Sequence, residues 1–322
     1  MLKIGVLGAG HLGKVHLSCL GELKEDFQLA GFYDVDKEVA RKVSEQMSLR
    51  AFPGLDELLA EVEAISIVTP TTTHFALARE AIKRGKHVFI EKPVTQTPDE
   101  SATLIELLKR HRVVVQVGHV ERFNPALLAV KNIALRPMFI EAHRLATFNP
   151  RGTDVPVVLD LMIHDIDIVL HLIQSPVKAI HANGVAVVST TPDIANARIE
   201  FENGCVANLT ASRISMKQMR KIRLFQKDAY LSLDFLKKET RVIRLREKDA
   251  TQPLPPASFE LPTPNGTKVI SVEMPPAHPV NAIQEELRSF ARAINNGIDP
   301  AVSLQEGHEA LRVAWAVMQR VK

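Results

Sequence analysis

Residues 3–34 constrain this chain more than any other stretch. Lys3-Ile4-Gly5-Val6-Leu7 is a short, mostly apolar run of strand length. It enters Gly8-Ala9-Gly10-His11-Leu12-Gly13, followed by helix-compatible sequence from Lys14 to Leu23. A second apolar run, Gln28 to Tyr33, ends at Asp34. The pattern is G-x-G-x-x-G between a strand and a helix, with an acidic residue about twenty positions further on.

Each residue type has a physical reason. Gly8 allows the tight turn, Gly10 lets the backbone approach a pyrophosphate, and Gly13 lets helix and strand pack closely. The pyrophosphate would rest on free N–H groups at the helix N-terminus, where the dipole also favours negative charge. The plain alternative is a glycine turn in an ordinary α/β domain. The strand, helix, second strand and carboxylate in one unit argue for dinucleotide binding instead. Asp34 is expected to accept both ribose hydroxyls of the adenosine. A 2′-phosphate would meet it as a like charge, which favours NAD over NADP. Lys37 and Arg41 are near enough in sequence to keep NADP in view.

Strand and helix patterns then alternate. Helices are expected at Lys37 to Met47, Leu55 to Ala60, His74 to Arg84 and Pro98 to Arg110. Buried strands are expected at 64–68, 87–90 and 113–117. This order predicts a doubly wound parallel sheet covered by helices, with ligands at the carboxyl ends of its strands. Segments 8–13, 34, 69–74, 91–93 and 116–121 are expected to line one crevice.

From about residue 119 the pattern changes. A helix is expected at Pro125 to Leu135, a strand at Met138 to Thr147, and an apolar helix at Asp160 to Leu172. Period-two alternation follows around 198–202, 230–235 and 242–245, which predicts a large, open, mostly antiparallel sheet. Pro253 to Pro264 is proline-rich and reads as an extended loop. Helices at Asn281 to Asn295, ended by Gly297, and at Leu304 to Arg320 close the chain. At 322 residues there is length for two domains, 1–118 and 119–322. The first is expected to be a Rossmann-type dinucleotide-binding domain and the second α+β, with the C-terminal helix free to pack back on the first.

Net charge is +3, from 40 basic and 37 acidic residues, and the densest basic stretch, Lys217 to Arg223, reads as one strand face. No nucleic-acid partner is expected, because no basic patch or stacking motif stands out. No apolar run is long enough to span a bilayer. The N-terminus enters a strand too soon for a removable signal peptide. The two cysteines, Cys19 and Cys205, make no disulfide framework. A reducing cytoplasm is the expected setting.

Candidate chemistry falls in three places. Asp160, His164, Asp167 and His171 form one polar stripe on the otherwise apolar 160–172 helix. Such a stripe needs a wet cleft, matched hydrogen bonds, or simple exposure. A metal reading is open to it in principle, but no further ligand cluster appears, and no metal is expected. Lys92 follows a strand end and precedes Pro93, which holds it extended. In a partly dry cleft a lysine can act in proton transfer, whereas on an open surface it would only be solvated. Residues 118–125, Gly-His-Val-Glu-Arg-Phe-Asn-Pro, gather His, Glu, Arg and Asn. Arg122 suits a carboxylate or phosphate on a substrate. Asn124 and Pro125 equally suit a helix start. Arg144, Arg151 and Arg213 are less specific anion candidates.

These motifs together resemble the Gfo/Idh/MocA oxidoreductase family: the glycine motif with His16 after it, Thr69-Pro70 with His74, Glu91-Lys92-Pro93, Asp160-x-x-x-His164, and the late helix with Glu286, Phe290 and Gly297. The resemblance covers essentially the whole chain. It implies cofactor contacts from Gly8, Gly10, His11, Leu12, Gly13, Asp34, Thr69, Pro70, Thr71, His74, Glu91 and Lys92. It implies that Lys92, Asp160 and His164 surround the reacting carbinol as catalytic groups, with substrate contacts also from Glu121, Arg122, Asn124 and Arg151. It further implies that the open sheet makes homodimer or homotetramer contacts. Segments 118–125 and 151–167 resemble the branch that oxidises UDP-N-acetylglucosamine at its 3-position, on the way to lipid A or surface polysaccharide. Inositol or free-sugar dehydrogenases of the same family, and a non-enzymatic NAD sensor, are the rival readings.

Overall fold

A computed structural model describes residues 1–149, 155–249, 251, 253–254, 257–264 and 266–321. The chain forms two compact units. One comprises Met1–Val120 with Val280–Arg312, the other Glu121–Pro279 with Val313–Lys322.

The first unit begins β1 (Leu2–Leu7), α1 (His11–Glu22), β2 (Phe27–Tyr33), α2 (Lys37–Met47), α3 (Leu55–Glu61), β3 (Ala64–Ile67), α4 (Thr71–Lys83), β4 (His87–Glu91), α5 (Pro98–Leu108) and β5 (Val115–Gly118). Its five strands lie in the order β2-β1-β3-β4-β5, and every neighbouring pair is parallel. The strands are near-continuous apolar runs because helices cover both faces of such a sheet. Ile4, Val6, Ala64, Ile65, Ile67, Val88, Phe89 and Ile90 are fully buried. Local signals fix the helix starts. Asp36 caps α2 by accepting from Glu38 and Val39, and Thr97 with Glu100 forms a reciprocal capping box ahead of Pro98.

The second unit opens with a 3₁₀ turn at Val120–Phe123 and α6 (Pro125–Leu128), then β6 (Phe139–Leu145). A π-helical turn at Val158–Met162 runs into α7 (Ile163–Ile173). There follow β7 (Val177–Val185), β8 (Ile194–Phe201), β9 (Val206–Ser212), β10 (Met219–Phe225), β11 (Ala229–Asp234), β12 (Glu239–Glu247), β13 (Ser258–Thr263) and β14 (Gly266–Glu273). These make a nine-stranded sheet in the order β13-β14-β12-β11-β10-β6-β9-β8-β7, antiparallel except where β6 meets β9. Alternate residues such as Ile140, Ala142, Leu209, Ile222 and Leu231 point to the buried face. Helix α7 packs against β6 and β9. The small Ala142, Ala207 and Ala211 on those strands leave it room.

Helix α8 (Ala282–Asn296) returns to the first unit, and α9 (Leu304–Met318) follows. Asn281 caps α8 through Ile283 and Gln284, and Gly297 ends it in the left-handed conformation at φ 61°. Phe290 of α8 meets Phe89 of β4 edge-on at 5.9 Å between ring centroids. Both rings are fully buried, and each such side chain stabilises by about 1.5–3 kcal/mol.

The structure corrects three expected elements. The helix expected over Pro125 to Leu135 is a single α-helical turn; beyond Leu128 the chain continues through i→i+3 bonds such as Lys131 N–H to Leu128 O. The helix expected to begin uniformly at Asp160 starts as a π turn, so its first residues do not follow a 3.6-residue period. The expected loop at 253–264 contains strand β13. Pro262 is tolerated there because β13 is an edge strand and owes no N–H to a further neighbour.

Candidate active site

The glycine turn at the end of β1 is built as its residues require. Gly8 adopts φ +92° and donates its N–H to Tyr33 O at 2.9 Å. A Cβ on Gly13 would lie 2.1 Å from Gly8 O, so only glycine lets α1 come this close to the strand. Gly10 differs: a Cβ there would meet no protein atom within 4 Å. Its bareness is therefore not a packing demand of the protein. It leaves open space at the N-terminus of α1, which has no side-chain cap, and His11 and Leu12 are exposed beside it. Uncapped N–H groups facing an open approach fit a pyrophosphate.

Asp34 stands just past β2. Its Oδ2 accepts from Ala9 N–H at 2.7 Å and its Oδ1 from Asp36 N–H at 2.9 Å. Each oxygen keeps a second lone pair for a ribose hydroxyl. Arg41 pairs with Glu38 and Glu45 on the exposed face of α2, and these carboxylates compete with any phosphate for it. The donor set fits NAD.

Beyond β3, Thr73 Oγ1 lies 2.7 Å from Thr69 Oγ1 and 2.8 Å from Pro70 O, which closes the turn ahead of α4. His74 is 1% exposed. Its Nε2 is 2.9 Å from Thr69 O and its Nδ1 2.9 Å from Pro93 O. Burial pushes its pKa down, and the two carbonyls and Glu91 only partly offset that. His74 thus ties the loop after β3 to the loop after β4.

Lys92 is half-buried at the end of β4. Its N–H approaches Glu91 Oε2 at 3.3 Å, and the Lys92–Pro93 peptide is cis. The other Glu91 oxygen, Oε1, lies 3.1 Å from His16 Nε2, while His16 Nδ1 is 3.0 Å from Ser66 Oγ. His16 and Ser66 are both fully buried.

In the second unit, Asp160 lies in the π turn and His164 in the first turn of α7, and both are half-buried. The four-residue polar stripe separates into different environments. Asp167 is buried and His171 is exposed. Arg122, 7% exposed, forks onto Asp167, with Nε to Oδ2 at 2.6 Å and Nη2 to Oδ1 at 2.8 Å. Arg144 bridges Asp165 and Glu121, each at 2.8 Å. Burial alone would push the Arg144 pKa down, but the two carboxylates raise it above the usual value. Asn124 donates to Glu121 Oε2 at 3.0 Å and to Phe235 O at 3.1 Å, and its Oδ1 caps α6 by accepting from Ala126. Glu121, Arg122 and Asn124, expected as substrate contacts, are thus engaged in a buried internal network. Arg151 lies outside the described residues. Arg213 is buried, with Nη2 2.5 Å from Val155 O. Among the described residues no three His, Cys, Asp or Glu side chains gather to hold a metal ion. Nor does any helix suffice to cross a membrane.

Sequence reasoning missed Asp165 and Ser66 and gave His16 no task. One signal was available for Asp165. Arg144 falls in step with Ile140 and Ala142 on the buried face of β6, and a core-facing arginine demands a carboxylate.

A glycine turn left open at Gly10, a carboxylate with spare lone pairs at Asp34, and a half-buried lysine just after β4 fit a dinucleotide-binding domain. Comparison with known proteins agrees. Residues 2–119 match the model of the oxidoreductase family with NAD-binding Rossmann fold, and residues 142–231 match the GFO/IDH/MocA C-terminal domain. The UDP-N-acetylglucosamine 3-dehydrogenase of Acidithiobacillus ferrooxidans is 43% identical over 236 residues, 73% of this chain and 74% of that protein. A solved structure of UDP-N-acetylglucosamine 3-dehydrogenase GnnA from the same organism superimposes with a TM-score of 0.89 at 36% identity, covering 99% of this chain and 97% of that one. The myo-inositol 2-dehydrogenase of Thermotoga maritima is 23% identical over 340 residues, 100% of this chain and 96% of that protein. The chain belongs to the Gfo/Idh/MocA family of oxidoreductases. It is an NAD-dependent dehydrogenase acting on a CH–OH group.

Proposed function

We propose that this enzyme oxidises the 3-hydroxyl of UDP-N-acetylglucosamine. The observation that carries the choice of substrate is the likeness, over nearly the full length of both chains, to the Acidithiobacillus ferrooxidans enzyme of that name. NAD, when bound, supplies the nicotinamide ring that accepts hydride from the sugar carbon. The glycine turn would hold the pyrophosphate on the N-terminus of α1, and Asp34 would take the ribose. Thr69, Pro70, Thr71, His74 and Glu91 shape the cofactor bed around the ends of β3 and β4.

Lys92 takes the proton of the reacting hydroxyl. The support is its place at the end of β4 and the hydrogen bonds that fix the residues on both sides of it. His164 donates a hydrogen bond to the oxygen of the same hydroxyl, and Asp160, four residues earlier, orients the imidazole and stabilises its charged form. The Arg122–Asp167 and Arg144–Asp165 pairs hold α7 in place rather than touching sugar.

The enzyme works in the cytoplasm as a homodimer or homotetramer, associating through the solvent face of the nine-stranded sheet. Phe139, Phe225 and Tyr230 cluster on that face, with ring centroids 5.9 and 5.0 Å apart, and supply apolar contact area.

The test is NADH formation by the purified protein with UDP-N-acetylglucosamine beside myo-inositol, scyllo-inositol and free hexoses. Turnover with the nucleotide sugar at least tenfold above the others is expected. Preference for an inositol would replace this reading with that of the myo-inositol 2-dehydrogenase relative. Tight NAD binding with no carbinol oxidised would favour a sensor.

A further inference from the structure

We propose that His16 is a positioning residue for Lys92, acting through Glu91 in a buried Ser66–His16–Glu91 hydrogen-bond chain. The inference rests on the reading of Lys92 as the group that takes the hydroxyl proton.

The geometry fixes the direction of the bonds. A carboxylate only accepts, so the 3.1 Å contact from His16 Nε2 to Glu91 Oε1 requires the proton on Nε2. Nδ1 then accepts from the Ser66 hydroxyl in the neutral ring, or donates to it in the imidazolium. Either way the ring is held at both ends. It also leans on Phe89, with centroids 5.5 Å apart. Ser, His and an acid occur here in the order hydrolases use. Ser66 is fully buried, however, and no substrate can reach it. The chain therefore holds structure in place and attacks nothing.

What it holds is the carboxylate beside Lys92. Glu91 pairs in register with Gly118 of β5, and a Cβ at 118 would lie 2.8 and 3.0 Å from the two carboxylate oxygens. The bare strand at Gly118 thus gives Glu91 its space, and His16 pins it there. Glu91 Oε2 in turn faces the Lys92 N–H. On the far side of Lys92, His74 meets the Pro93 carbonyl. Both flanks of the lysine are tied to the interior by histidines, one from α1 and one from α4. A catalytic side chain misplaced by about 1 Å can lose about 10²-fold in rate, which gives such anchoring a purpose.

The experiment combines kinetics with spectroscopy. In His16→Phe the ring volume is kept and both hydrogen bonds are lost, whereas His16→Gln keeps an amide N–H able to reach Glu91. His16→Phe is expected to lower kcat by about 10²-fold with a much smaller change in the NAD Kd, and His16→Gln to recover part of the kcat loss. In a Lys92→Ala background His16→Phe is expected to cost nothing further. Nitrogen-15 NMR of the cofactor-free protein should show His16 protonated on Nε2. Should His16→Phe fail to fold, Ser66→Ala, which leaves Glu91 bonded, is expected to give a smaller kcat loss with the same non-additivity. Wild-type kcat in His16→Phe, a full further loss in the Lys92→Ala background, or a ring protonated on Nδ1 alone would each overturn the proposal. Wild-type kcat in Lys92→Ala alone would instead remove the reading of Lys92, and leave the NMR result for His16 standing.

Discussion

Arg122 grips Asp167 through two parallel hydrogen bonds, at 2.6 and 2.8 Å, with both side chains buried. The pair joins the 3₁₀ turn after β5 to the middle of α7, the helix that carries His164. Removing one partner leaves the other charge buried and uncompensated. Arg122→Ala or Asp167→Asn is therefore expected to destabilise the protein by about 3–5 kcal/mol, read from the denaturant midpoint. The double variant Arg122→Met with Asp167→Leu should lose less than either single change, because no orphaned charge remains. Equal losses in single and double variants would mean that the pair contributes by packing alone.

Gly10 and Gly13 share one motif but do opposite things. Gly13→Ala drives a Cβ to 2.1 Å from Gly8 O and should lower the melting temperature along with cofactor affinity. Gly10→Val fills space that no protein atom occupies. It should abolish NAD binding by calorimetry while Tm stays near that of the wild type. A Gly10→Val protein that bound NAD normally would place the pyrophosphate elsewhere.

Acid sensitivity follows from one buried histidine, His74, and two half-buried ones, His87 and His308. Burial pushes His74, His87 and His308 below the ordinary value of 6.5, against opposing pulls from Glu91, Glu63 and Glu309 respectively. The unfolded chain then takes up protons before the folded one as pH falls. Stability should decline from about pH 6.5 downward until the folded rings also protonate. Asp193 acts in a lower window. Burial would raise its pKa, but its Oδ2 accepts from the N–H groups of Val187, Val188 and Ser189 at 2.9, 2.7 and 3.0 Å, and the net effect is a strong lowering. Its contribution is present above the ordinary 3.8 and is lost as pH falls below that value. His74→Gln should flatten the upper window and leave the lower one; an unchanged pH–stability curve in that variant would exclude His74 as a contributor.

The first unit was legible because its signals are local. Glycine spacing, a capping Asp36 or Thr97, and buried apolar runs each specify their own few residues. The second unit depends on partners far apart in sequence. Whether 158–162 closes i→i+4 or i→i+5 bonds is decided by packing, not by its own pattern. Pro262 argues for a loop until β13 is known to be an edge strand. At the glycine turn, the demands on Gly8 and Gly13 could be named from chain position alone. Glu121, Arg122 and Asn124 were expected as substrate contacts from the family resemblance, and the pattern also offered Asn124 as the N-cap it proves to be. Their partners, Asp165, Asp167, Arg144 and the Phe235 carbonyl, come from other elements and turn them inward. The role of His16 was hidden for the same reason, since Ser66 and Glu91 meet it only once β3 and β4 are aligned against α1.

The most direct test of the account is hydride transfer by Lys92→Ala measured beside its affinity for NAD. With UDP-N-acetylglucosamine as substrate, kcat should fall by about 10²–10⁴-fold while the NAD Kd stays within a factor of about two. Wild-type turnover in this variant, with NAD still bound, would contradict the account.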